Sequence, residues 1–109
     1  MIIEKDGFIH HVYFWLKNPE SVDDCNQLIE GLKKLSKVST IKDFHIGKPA
    51  STRRQVIDSS YSASWLVPFK NKQDHDSYQT DPIHLKFVEE CKHLWGKIQI
   101  YDTVDVNNE

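Results

Sequence analysis

Phe8-Ile9-His10-His11-Val12-Tyr13-Phe14-Trp15-Leu16 (FIHHVYFWL, residues 8–16) decides the fold. Aromatic and β-branched side chains dominate it and Lys17-Asn18-Pro19 follows as a turn, so it reads as a β-strand. Successive side chains of a strand point to opposite faces. Phe8, His10, Val12, Phe14 and Leu16 therefore project one way, and Ile9, His11, Tyr13 and Trp15 the other. Both sets carry bulky apolar groups. An antiparallel sheet with one wet face alternates apolar and polar residues, so this strand asks for cover on both sides.

The rest of the chain limits what can supply that cover. Ser21 with Asp24 resembles a capping box, and Val22, Cys25, Leu28, Ile29, Leu32 and Leu35 recur at helical spacing, which predicts a helix over 22–36. Alternation over 41–46, closed by Gly47 and Pro49, predicts a second strand, and the polar segment 48–59 a loop. Residues 61–69 (YSASWLVPF) read as a third strand with Pro68 near its end. A short helix fits 73–79. Asp81-Pro82, an N-cap followed by proline at the first helical position, opens a longer helix to 94 or 95, which Gly96 ends. Residues 98–104 (IQIYDTV) alternate as a fourth strand, and 107–109 are expected to fray.

The order β-α-β-β-α-β is the ferredoxin-like arrangement of an α+β domain with an antiparallel sheet, and its helices cover one face only. Strand three repeats the problem, with Tyr61, Ala63, Trp65, Val67 and Phe69 opposite Ser62, Ser64 and Leu66. Aromatics left in water would form a patch beyond the few hundred Å² that monomers tolerate, and burying each recovers about 1.5–3 kcal/mol. A second copy is expected on the open face. The result is a symmetric homodimer, a dimeric α/β barrel, with Tyr13, Trp15 and Trp65 in its interface.

Composition narrows the function classes. The 109 residues make one domain, 1–109, and a formal charge of −2 provides no field for a polyanion. Arg53-Arg54 lies in a polar segment without interleaved aromatics, so no nucleic-acid partner is expected. No run is long and apolar enough for a membrane span, and MIIEKDGF lacks the pattern of a signal peptide, which leads to a cytoplasmic expectation. Cys25 and Cys91 have no metal-type spacing and read as buried free thiols. The six histidines include no i, i+4 helical pair, so neither a metal nor a cofactor is expected; His45, His75 and His93 read as surface, His11 as interface.

The chemistry-bearing candidates cluster late. On a helical wheel Ile83, Phe87, Val88, Cys91, Leu94 and Trp95 span an apolar arc with His84 inside it. Burial and the positive end of the helix both disfavour imidazolium, so His84 is expected to be a neutral acceptor near pH 7. His10 shares a strand face with Val12 and Phe14 beneath the helices, so His10 and His84 can line one cavity walled by Phe14 and Phe87, with Tyr78 at its mouth. A neutral imidazole and a phenol in an apolar pocket suit proton abstraction from a carbon acid. The plainer alternative makes Asp81-Pro82 a cap, Phe87 core, and His84 a packing residue.

HHVYFWLK, SYSASWLVPF and above all YQTDPIHLKFVEE followed by IQIYDTV resemble the stress-responsive dimeric α/β-barrel family, whose late motif is Tyr-x-x-His-Pro-x-His-x-x-Phe. The resemblance implies a ferredoxin-like homodimer. Many members have no known activity, whereas the similar plant olivetolic acid cyclase closes a polyketide by aldol condensation without metal or cofactor. The Tyr and second His that carry its chemistry match Tyr78 and His84, and its strand-one histidine matches His10. A further pocket histidine falls on Ala63, and the motif's first histidine is Asp81. The implied function is a stress-response dimer that binds a small organic molecule between sheet and helices. One alternative is a cofactor-free lyase or cyclase with His84 as base, Tyr78 as oxyanion donor and His10 positioning substrate; a cofactor-independent monooxygenase is another.

Overall fold

Strand β1 (Phe8–Leu16) alternates strictly between buried and half-buried residues, the buried set being Phe8, His10, Val12, Phe14 and Leu16. In the computed structural model, which describes residues 2–107, it is a central strand. The expected fraying at 108–109 lies outside the described residues. Helix α1 (Val22–Leu35) starts where the Ser21 hydroxyl accepts the Asp24 N–H at 3.1 Å, and buries Leu28, Leu32 and Leu35. Strands β2 (His45–Gly47) and β3 (Ala63–Phe69) follow, then helices α2 (Lys72–Thr80) and α3 (Pro82–Cys91), a 3-10 turn (Lys92–Leu94) and β4 (Trp95–Val104). The sheet order is β2-β3-β1-β4, antiparallel throughout, a ferredoxin-like fold. Among the described residues no helix is long and apolar enough to cross a membrane. Cys91 is a buried free thiol as expected, whereas Cys25, also expected buried, is a half-buried one at the edge of the α1 apolar face.

Three boundaries depart from the sequence reading. Strand β2 keeps only three residues, because Ile41 closes a backbone turn onto Val38 and is buried there. Strand β3 starts at Ala63, after Ser62 has donated its N–H to the Phe14 carbonyl at 2.7 Å and accepted the Leu16 N–H on its hydroxyl. Helix α3 tightens into the 3-10 turn after Cys91, and Trp95 and Gly96 already belong to β4 rather than ending the helix.

Trp65 requires a correction, because it does not lie on the open sheet face. The register pairs Val12 with Trp65 and His10 with Val67, so Ala63, Trp65, Val67 and Phe69 share the helix side, and Trp65 is 1% exposed. These four are the more apolar set of strand three and belong in the deeper core, which leaves Ser64, Leu66 and Pro68 outside. The outer face instead carries a ladder of rings centred on Tyr13, which stands edge-on to Tyr61 at 4.8 Å and to Tyr101 at 6.1 Å. Trp15 extends it, donating to the Ser60 hydroxyl at 2.9 Å and lying under the Lys97 ammonium. The helices all pack on the opposite side, where Leu28, Leu32 and Leu35 meet the core.

Helices α1 and α3 touch at Gly31. A Cβ there would stand 2.6 Å from the Cys91 sulfur and 3.2 Å from the Phe87 ring. Glycine to alanine inside a helix ordinarily stabilises by about 1 kcal/mol. Here both neighbours are buried, and the sign is expected to reverse: Gly31→Ala should cost about 1–3 kcal/mol, read as a lower urea midpoint. A raised midpoint would mean that the helix seam has slack.

Candidate functional site

The Asp81-Pro82 step builds the site. Helix α2 ends at Thr80, Asp81 is extended (φ −64°, ψ 137°), and its carboxylate accepts the Ile83 N–H at 2.8 Å to start α3. The chain turns between the two helices, so the last turn of α2 and the first of α3 face each other. Tyr78 and His84 meet there with ring centroids 4.6 Å apart.

Both border a pocket of about 200 Å³ between the sheet and helices α2 and α3. All five residues expected from the sequence, His10, Phe14, Tyr78, His84 and Phe87, line it, together with Val12 and Trp65. Its open side runs along Ile98 and Ile100 of β4, which the helices do not roof; Ile100 is 46% exposed. Ala63 is fully buried in the core and places no titratable group beside the pocket.

The polar groups have distinct environments. The Tyr78 hydroxyl accepts the Trp65 indole N–H at 3.2 Å, which leaves its own proton free to donate. Burial pushes the phenol well above its usual range, so Tyr78 acts as a donor and not as a base. Burial holds the His84 imidazole below its ordinary value, against the Gln79 backbone and the Asp81 charge, and its Nδ1 is buried with no hydrogen-bond partner among the described residues. His10 Nδ1 lies 2.7 Å from Asp102 Oδ1. Burial lowers the pKa of His10 more than that carboxylate raises it.

Two members escaped the sequence reading. His75, expected at the surface, is buried: it stacks on Phe8 at 4.2 Å and its ring lies 5.0 Å from that of His10. Its i, i+3 spacing to Tyr78 on α2 was the available signal. Asp102 sits directly across the β1–β4 ladder from His10, a relation that only the strand register reveals. His45 and His93 are exposed as expected. A larger groove of about 420 Å³ runs between α1 and α3, lined by Lys33, Lys34, Lys37 and Lys86, and holds neither histidine nor tyrosine.

The family model described as Stress responsive A/B Barrel Domain (Dabb) matches residues 8–105. A Dabb family protein with a ferredoxin-like fold from Mesorhizobium loti superimposes with a TM-score of 0.75 at 22% identity, over 93% of this chain and 98% of that one. The hydroxynitrile lyase of Passiflora edulis gives 0.76 at 17% identity, covering 97% and 99%. A dimeric ferredoxin-like protein of unknown function from Thermobifida fusca gives 0.74 at 15% identity and 95% of both chains. Among curated proteins there is no match. The structural likenesses, all under 25% identity, speak for the fold, while the family model runs from the first residue of β1 to just past the end of β4. The chain belongs to the stress-responsive A/B barrel (Dabb) domain family.

Proposed function

We propose that this protein is a homodimer, closed through its outer sheet face, that binds a small, mainly apolar carbonyl or hydroxy compound in the pocket between its sheet and helices α2 and α3. The observation that carries the reading is that Tyr78 and His84, with ring centroids 4.6 Å apart, line one apolar pocket, and that the His84 Nδ1 is buried with no hydrogen-bond partner among the described residues. Leaving such a group unpaired costs about 1–3 kcal/mol, which a ligand hydroxyl or carbonyl can relieve. At about 200 Å³ the pocket lies below the usual ~300–1,000 Å³ of ligand sites, which favours a ligand of one ring or fewer over an extended polyketide. The ring ladder on the outer face, and a fold relative described as dimeric, support the second copy.

The different environments of Tyr78 and His84 favour a second reading, cofactor-free lyase chemistry. His84, held neutral, takes a proton from a substrate hydroxyl. The adjacent carbon–carbon bond breaks as the carbonyl forms, Tyr78 donates a hydrogen bond to the oxygen that carries the charge, and the departing carbanion takes the proton. An α-hydroxynitrile is a suitable substrate by size, and one fold relative is a hydroxynitrile lyase.

The test is His84→Ala assayed with mandelonitrile, following benzaldehyde release, beside acetophenone binding followed by calorimetry. The lyase reading expects turnover to fall on the order of 100-fold or more with the dimer intact. Undiminished turnover in the variant, or none in the wild type, removes the lyase reading for this substrate class. Saturable acetophenone binding that weakens in the variant supports the binding reading, and its absence from the wild type contradicts it.

A further inference from the structure

We infer that His10, His75 and Asp102 form a binding site for one divalent transition-metal ion, zinc being the closest match. The three residues come from β1, α2 and β4, so no local spacing discloses them, and the sequence reading accordingly expected no metal. Their candidate ligand atoms all lie within 4.8 Å of one another. A tetrahedral zinc with bonds of about 2.0–2.1 Å holds its donors roughly 3.3 Å apart, so side-chain movements that shorten the longest separation by about 1.5 Å would close the set. The His10–Asp102 edge, at 2.7 Å, is already closer than that, and an ion would there replace a hydrogen bond.

The donor chemistry is selective. Two imidazoles and one carboxylate suit zinc and its neighbours in the first transition row, whereas magnesium and calcium require oxygen donors. His75 Nδ1 lies 3.2 Å from Asp76 Oδ1, and a carboxylate behind an imidazole fixes the tautomer that leaves Nε2 with its lone pair. That lone pair now accepts from the Gln79 amide at 3.0 Å; Gln79 is exposed and free to swing away. Both imidazoles are buried while the Asp102 side chain is 36% exposed, so a fourth position can remain open to water or a ligand on the rim of β4. His10 also borders the pocket of Tyr78 and His84. The metal site does not depend on that pocket's proposed function.

The experiment titrates chelator-dialysed full-length protein with Zn²⁺ and, separately, Co²⁺. One equivalent per chain is expected, with visible Co²⁺ bands of four- or five-coordinate nitrogen and oxygen ligation. Asp102→Asn and His75→Gln should each weaken Zn²⁺ binding on the order of 100-fold, whereas His93→Gln, at an exposed site, should leave it unchanged. Should either variant fail to fold, Co²⁺-shifted ring protons of His10 and His75 in the wild type decide the matter. Absence of stoichiometric binding, affinity retained in both folded variants, or paramagnetic shifts on other histidines alone would overturn the inference.

Discussion

Trp65→Ala is expected to remove about 3–5 kcal/mol of folding stability, among the largest effects available in this chain. The indole is 1% exposed, pairs across the sheet with Val12, packs against Phe44 with ring centroids 5.6 Å apart and walls the pocket. Truncation leaves a cavity under α2 and also removes the N–H donated to the Tyr78 hydroxyl. Domains of this size hold about 5–15 kcal/mol in all, so the variant should sit near the threshold of folding at room temperature. Urea denaturation measures the loss. Trp65→Phe weights the second part, since it retains most of the volume while deleting the donor. A loss below about 1 kcal/mol in the alanine variant would mean that the indole is not the keystone between sheet and α2.

The second large effect concerns the outer face. The double variant Tyr13→Asp, Trp15→Asp is expected to sediment as a single chain, and the wild type as two. The inner set of β1 is buried under the protein's own helices, while Ile9, His11, Tyr13 and Trp15 are only half-buried and continue into Tyr61 and Tyr101. A second sheet pressed on that ladder would desolvate it, and burying two carboxylates among those rings would cost several kcal/mol even with Lys97 beside position 15. Circular dichroism should report retained secondary structure, because neither side chain belongs to the core between sheet and helices. A double variant that still sediments as a dimer would place the interface elsewhere.

Local pattern carried more of this fold than of its site. The alternation of residues 8–16 was enough to place Phe8, His10, Val12, Phe14 and Leu16 on one buried face, and Asp81-Pro82 marked the break that sets Tyr78 against His84. These features are local, since alternation and capping act within a few residues. What was not legible depends on register. Strand three's alternation grouped Trp65 with Val67 and Phe69, but only the pairing of Val12 with Trp65 assigns that group to the helix side. Asp102 becomes the partner of His10 by standing opposite it in the β1–β4 ladder, with most of the chain between them. His75 read as surface because α2 is polar nearly throughout, yet the stack on Phe8 draws the ring inward. The shortened β2 has a local cause instead: its alternation satisfied strand propensity, and a turn burying Ile41 competed with it.

The measurement closest to the central claim is a chemical-shift map of isotope-labelled protein titrated with acetophenone. Saturable shifts are expected for the Tyr78 and His84 ring signals and for the Ile98 and Ile100 methyls, since these residues line one pocket. Shifts confined to the lysine-lined groove between α1 and α3, or none at millimolar ligand, would contradict the claim.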